Sequence, residues 1–166
     1  METRVCEVID LNRSVKSQLH KLERLAKRAT VFLSYSRSDT AEARRIGDAL
    51  KKHDYRVWTE ADLHPGGDWA AALGAAIDEA VKHGFVLLLL SEASLRSELC
   101  RQESLYALQR ASAPGRSNVV PVILNQFDFS ALPPEIRHIQ HFDLVAGPFD
   151  ERMQLLIRGL KAREME

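Results

Sequence analysis

Only two cysteines, Cys6 and Cys100, occur in 166 residues. They are too few to staple a small secreted fold and too isolated to form a zinc site. The six histidines show no ligand spacing, so no resident metal is expected. Excess charge of one sign is also missing: Lys plus Arg and Asp plus Glu number 23 each, which leaves no bulk pull toward nucleic acid or an anionic membrane. No apolar run approaches a bilayer span. The stretch Val5 to Leu11, flanked by Glu2, Glu7 and Asp10, lacks the uninterrupted apolar core of a secretory signal. These absences predict a cytoplasmic chain with no metal, nucleic-acid or membrane partner. No internal repeat is present.

What the chain does have is a globular balance, 45% hydrophobic and 28% charged, and enough length for one domain with a real core. The stretch Phe85 to Glu103, FVLLLLSEASLRSELCRQE, sits at its centre. Phe85 to Leu90 is apolar without alternation, as in a strand buried on both faces of a parallel sheet. Ser91 ends it, and apolar positions at Leu95, Leu99, Leu105 and Leu108 predict a helix reaching about Ala111. Glu103 is thereby placed near the carboxyl edge of the sheet, the edge where open α/β folds bind ligands.

Around this centre strands and helices alternate. Residues 1–29 form an extension or linker, helical from about Asp10, with Leu11, Val15, Leu19, Leu22 and Leu25 on one face. That face either lies on its own domain or pairs two copies in a short coiled coil. The domain proper spans 30–166. Thr30 to Ser34 is a strand, and the polar YSRSDT loop leads into a helix capped by Asp39 or Thr40 and running to Lys52. Tyr55 to Thr59 is a second strand. A turn-rich loop through Pro65, Gly66 and Gly67 follows, and Asp68 caps the next helix. Val119 to Leu124 is a fourth strand, in which Pro121 demands an edge or a bulge. Ile139 to Leu144 is a weak fifth, and Phe149 to Ala162 is a closing helix. Such alternation predicts a parallel sheet with helices on both faces.

Three blocks, VFLSYSRSD, DLHPGGDW and SLRSELCRQE, in that order along the chain, resemble the TIR (Toll/interleukin-1 receptor) domain family. The resemblance implies a flavodoxin-like α/β fold, a five-stranded parallel sheet of order 2-1-3-4-5, with its switch point between strands one and three. Tyr35, Ser36 and Arg37 then lie beside Ser91 and the Glu103 helix. The resemblance further implies an NAD+ nucleosidase that splits the nicotinamide-ribose bond, with NAD+ as substrate and no cofactor. Its activation would come through TIR self-association in an immune or cell-suicide response, with another TIR or sensor protein as a possible partner. The family's essential glutamate matches Glu103, whose bland alternative is a solvated helix residue. Its carboxylate would steady the ribosyl cation, hold the ribose hydroxyls or attack as a nucleophile. Either water or the substrate's own adenine or ribose would then complete the reaction.

Arg37 would grip pyrophosphate, or else is a solvated loop residue. Trp69 is placed at the substrate but favoured as packing, Trp58 is core, and Cys100 is rim or packing rather than nucleophile. Leu63, Pro65 and Gly66 would shape the loop that the family calls BB, which governs access and assembly. Two departures stand out: Leu99 occupies a position where the family often has Trp, and Thr59 stands where it usually has Asp, leaving Glu60 as the substitute.

The rival readings fare differently. A phosphoacceptor receiver needs an aspartate where Ser91 stands, and a flavin binder would use Ser36, Ser38 and Thr40 but lacks an evident aromatic pair. The serious alternative is a non-enzymatic TIR-TIR interaction module, including a bacterial effector that interferes with host TIR signalling.

Overall fold

The computed structural model describes residues 14–19, 22, 28–63, 66–111 and 118–165. Eleven principal elements follow in order: β1 (Thr30–Ser34), α1 (Thr40–Lys52), β2 (Arg56–Thr59), α2 (Trp69–His83), β3 (Gly84–Leu90), α3 (Glu92–Arg96), α4 (Glu98–Arg110), β4 (Val119–Ile123), α5 (Pro134–Arg137), β5 (Phe142–Asp143) and α6 (Phe149–Glu164). Single 3-10 turns lie at Arg37–Asp39, Glu60–Asp62 and Phe129–Ala131. The five strands pair in parallel in the order β2-β1-β3-β4-β5, the flavodoxin-like topology.

The unalternating β3 is explained by its two neighbours. One set of its side chains, Phe85, Leu87 and Leu89, joins Val31 and Leu33 of β1 beneath Ile46 and Leu50 of α1 and Leu156 and Leu160 of α6. The other set, Val86, Leu88 and Leu90, joins Phe32 beneath Leu73 and Ile77 of α2 and Ala107 of α4. All seven residues of β3 are buried, because apolar cover on both faces removes any reason for a polar position. At the strand's start the backbone approach is so close that a Cβ on Gly84 would stand 1.8 Å from the Thr30 carbonyl oxygen.

Pro121 resolves as an edge effect. Leu124 N donates to Leu90 O on the β3 side, whereas Ile123 O accepts from Leu144 N on the β5 side. Odd positions of β4 therefore turn their backbone groups toward β5. Pairing with β5 begins only at Val122, so the missing N–H of Pro121 leaves no ladder bond unmade.

Several expected boundaries shift. The helix expected to run unbroken to Ala111 is split at Ser97, an extended residue (φ -86°, ψ 115°) that ends α3 and caps α4. The fifth strand shrinks to Phe142–Asp143. A short helix, α5, opens on Pro134 in what reads as loop, because a proline at the first helical position sacrifices no bond. At the N-terminal end residues 14–19 are helical, and Val15, Leu19 and Leu22 are exposed. Leu11 and Leu25 lie outside the described residues, as does the Pro/Gly/Ser break from Ala113 to Ser117.

Candidate active site

The switch point between β1 and β3 gathers a set of buried polar side chains. Each strand ends in a serine, and each serine reaches an acid carried on the connection that follows the other strand. Ser34, last in β1, donates to Glu103 Oε2 of α4 at 2.5 Å. Ser91, just past β3, donates to Asp39 Oδ2 beyond β1 at 2.5 Å. All four residues are buried. Short O–H···O contacts to a carboxylate are the strong class of hydrogen bond, and here they replace the water that burial has removed.

Glu103 is held where it is by the two serine caps. Ser91 Oγ accepts from Ser94 N at 3.0 Å while Ser94 Oγ accepts from Ser91 N at 2.8 Å, a reciprocal cap that ends β3 cleanly and starts α3. Ser97 Oγ accepts from Cys100 N at 3.3 Å and starts α4. The break at Ser97 re-aims the chain so that Glu103, Ser104 and Ala107 face inward. Glu103 is only 4% exposed, and its Oε1 is buried with no hydrogen-bond partner among the described residues. Burial pushes the carboxyl up to about 7; the Ser34 hydrogen bond opposes that rise and the charge of Glu60 adds to it. A buried acid poised near neutrality with one oxygen unpartnered is costly to keep, and such groups concentrate at functional sites.

Glu60 is positioned by its own small device. Thr59 N and Oγ1 donate to Asp62 Oδ2 at 2.7 and 2.9 Å, closing the 3-10 turn that carries Glu60 off the end of β2. Arg37, almost fully exposed, reaches Glu60 Oε1 at 3.5 Å. Glu103, Glu60, Arg37, Ser91 and Cys100 thus belong to one neighbourhood. Burial pushes the Cys100 thiol up, with smaller upward contributions from Glu103, Glu60 and Asp39, so it is a neutral packing group.

The other sequence candidates lie farther out or face elsewhere. Tyr35 packs against the cluster under α1 and α6, on the opposite face of the sheet from α4. Ser36 accepts from Ser38 N at 3.4 Å and caps the 3-10 turn. Leu63 is half-buried against the cluster under α2 and α4, as is Trp58. Gly66, with φ 112°, and Trp69, 38% exposed, lie in the loop before α2 and at its first residue. Pro65 lies outside the described residues.

Two members of the site escape a reading of the sequence. Ser34 reads as the tail of an apolar strand. Asp39 reads as a helix cap, yet its side chain caps nothing and goes to Ser91 instead. Among the described residues no three His, Cys, Asp or Glu side chains are grouped to hold a metal ion, and no helix is long and apolar enough to cross a membrane.

This chain resembles several known proteins. It is 29% identical over 116 residues to the stimulator of interferon genes protein of Magallana gigas, a match covering 69% of this chain and 27% of the relative's length. The chain therefore spans about a quarter of that curated relative. Among solved structures, a metazoan TIR-STING receptor from C. gigas in complex with 2',3'-cGAMP aligns with TM-score 0.54 and 26% identity, over 75% of this chain and 38% of that one. The TIR domains of the activated Roq1 resistosome, which directly recognizes the pathogen effector XopQ, align with TM-score 0.64 and 18% identity over 79% and 98% of the two chains. The TIR domain of the Toll-related receptor TRR-2 from Hydra magnipapillata aligns with TM-score 0.61 and 13% identity over 79% and 97%. At these last two identities the likeness is one of fold. The family model for the TIR domain matches residues 31–157, three quarters of the sequence and every strand of the sheet, and the chain belongs to the TIR domain family.

Proposed function

We propose that this TIR domain is an NAD+ nucleosidase in which Glu103 is the catalytic carboxylate. One observation carries the reading: a buried acid with a carboxyl near 7 keeps one oxygen on Ser34 and the other without a partner among the described residues. In NAD+ the nicotinamide leaves as a neutral amine from a cationic pyridinium, so the departure needs no general acid, unlike an ordinary glycoside with its two carboxylates. One ionised carboxylate suffices. Its unpartnered Oε1 meets the positive charge that develops on the ribosyl carbon, or the ribose hydroxyls, while Oε2 stays anchored. Water then bonds to that carbon and releases a proton, giving ADP-ribose; attack by the substrate's own adenine or ribose gives a cyclic isomer instead.

Arg37 is free to turn from Glu60 to the pyrophosphate, since its side chain is 91% exposed and its ion pair is a weak surface contact. The loss of that pair leaves Glu60 beside the ribose, one residue past Thr59, which stands where the family usually has its strand-two aspartate. Glu103 is covered in the resting chain, so the site must open. Self-association through the loop between Glu60 and Trp69 supplies that step and ties activity to assembly in an immune response. The family's receptor and resistosome members support that setting.

The same cover favours a second reading, a non-enzymatic TIR-TIR interaction module in which Glu103 is only a structural acid. The two are separated by incubating concentrated protein with NAD+ and following free nicotinamide by chromatography. Parent protein releases it and Glu103→Ala does not; equal release from both ends the catalytic assignment. Mass spectrometry of the co-product identifies the linear or cyclic outcome.

A further inference from the structure

A cavity of about 320 Å³ opens between α4 and the segment from Ser130 to Arg137. Its apolar wall comes from Leu88 and Leu90 at the end of β3, Leu95 of α3, and Leu132 and Ile136. Its polar wall is cationic and hydroxylic: Arg101 and Ser104 of α4, Ser130, Arg137 and, deepest in the chain, Ser34. No aspartate or glutamate is among the described lining residues. Arg137 Nη2 donates to the carbonyls of Ser130 and Leu132, both at 2.9 Å, which fixes the far wall and sets the guanidinium at the rim. Asp128 feels that charge weakly, its own carboxyl being held down first by hydrogen bonds with Ser130. Arg101 has no carboxylate partner among the described residues. Two guanidinium groups on a hollow lined by apolar and hydroxyl groups, with no carboxylate among its described lining residues and only the solvent-exposed Asp128 weakly coupled to Arg137 outside it, are complementary to one class of guest.

We propose that this cavity binds a small organic anion, an apolar body bearing a carboxylate or phosphate, with the anionic group at Arg101 and Arg137 and the body over Leu88, Leu95 and Ile136. Volume at the low end of ligand pockets limits the guest to one or two fused rings. The site is also coupled to Glu103, because Ser34 lies in its wall and makes Glu103's hydrogen bond. A guest that draws the Ser34 hydroxyl to itself leaves Glu103 without its partner and favours the protonated, inactive acid. That coupling rests on the nucleosidase reading; the binding site does not.

The test uses 1-naphthyl phosphate and 2-naphthoate as probes and neutral 2-naphthol as control, titrated into the full chain by calorimetry. Both anions bind and the naphthol binds at least about 10-fold more weakly, the size expected for loss of a charge-assisted contact. Arg101→Gln, an exposed position on α4, weakens the anions by a similar factor and leaves the fold intact. Arg137→Gln weakens them too, but it also frees the Ser130 and Leu132 carbonyls, so Arg101 carries the decision. Equal binding of anion and naphthol, unchanged binding to Arg101→Gln, or no binding of either anion at millimolar concentration overturns the proposal. With NAD+ present, saturating anion lowers nicotinamide release. Binding with undiminished release removes the coupling and keeps the site, whereas a chain that binds the anion yet never releases nicotinamide refutes the nucleosidase reading alone.

Discussion

Ser34 Oγ donates to Glu103 Oε2 at 2.5 Å, joining the last residue of β1 to the middle of α4 across 69 positions of sequence. This bond sets how much of the acid is ionised near neutrality, since burial and the Glu60 charge push its carboxyl up to about 7 and Ser34 alone pulls it down.

If Glu103 acts as an anion, nicotinamide release climbs with pH through about 7 and levels off above it. Ser34→Ala removes the one opposing contribution and moves the midpoint upward. It therefore slows the reaction at neutral pH and regains rate toward alkaline pH. Initial rates across a pH series check this, and Ser34→Thr, which restores a hydroxyl, should bring the midpoint back. A uniform loss of rate with an unmoved midpoint would assign Ser34 to packing only.

The same group makes stability depend on pH in the direction opposite to an ion-paired acid. Between the ordinary value of 4.5 and the folded value of about 7, native Glu103 keeps a proton that the unfolded chain has released. Stability is therefore full below that window, falls as pH rises through it and is flat above, by up to about 3 kcal/mol from this group. Glu103→Gln keeps the shape and removes the charge. It should match the parent in urea near about pH 4 and exceed it near about pH 8. A variant that matches the parent near about pH 4 and is less stable near about pH 8 would show that the carboxylate is stabilising as an anion.

How far such features are legible in a sequence depends on whether their cause is local. The unbroken apolar run of β3 reports burial on both faces, and the alternation of strands with helices leaves the parallel sheet as the economical solution, whereas the strand order comes only with the resemblance to the TIR family. Glu103 stands out because it shares a block with Ser97 and Cys100. Ser34 and Asp39 do not, since each is defined by a partner on a connection across the switch point. The split at Ser97 is hidden for another reason: Leu95 and Leu99 keep helical spacing across it, and only the cap on Cys100 N reveals two helices. Pro121 is readable as a warning but not as an answer, because its tolerance depends on where β5 begins to pair.

Asp39 provides a test of the second serine-carboxylate link. Asp39 as a residue is 8% exposed and its carboxylate accepts from Ser91 Oγ, so Ser91→Ala leaves a buried acid without that donor. The loss also removes the reciprocal cap with Ser94 N at the start of α3. Together these cost about 2 to 3 kcal/mol and lower Tm by roughly 5 to 10 °C for a chain of this size. Ser91→Thr, which keeps the hydroxyl, loses less. Thermal unfolding followed by circular dichroism distinguishes them, and equal Tm for parent and Ser91→Ala would mean that Asp39 is served by solvent.

Gly66 separates assembly from folding. Its φ of 112° lies in the left-handed half of backbone space, which proline cannot enter because its ring holds φ near about -65°. No described atom beyond its chain neighbours lies within 4 Å of where its Cβ would stand, so Gly66→Ala meets open space and Gly66→Pro acts chiefly through the loop's path. The folded domain should lose no more than about 1 to 2 kcal/mol, because the strain can relax into solvent. If the loop between Glu60 and Trp69 joins one copy to the next and uncovers Glu103, the variant sediments as a smaller particle and releases nicotinamide more slowly, both changes following protein concentration in parallel. Gly66→Ala, strained but less severely, falls between. Unchanged sedimentation with slowed release would leave the loop as a cover over Glu103 and take assembly out of the mechanism, because then the loop acts on its own chain and needs no second copy.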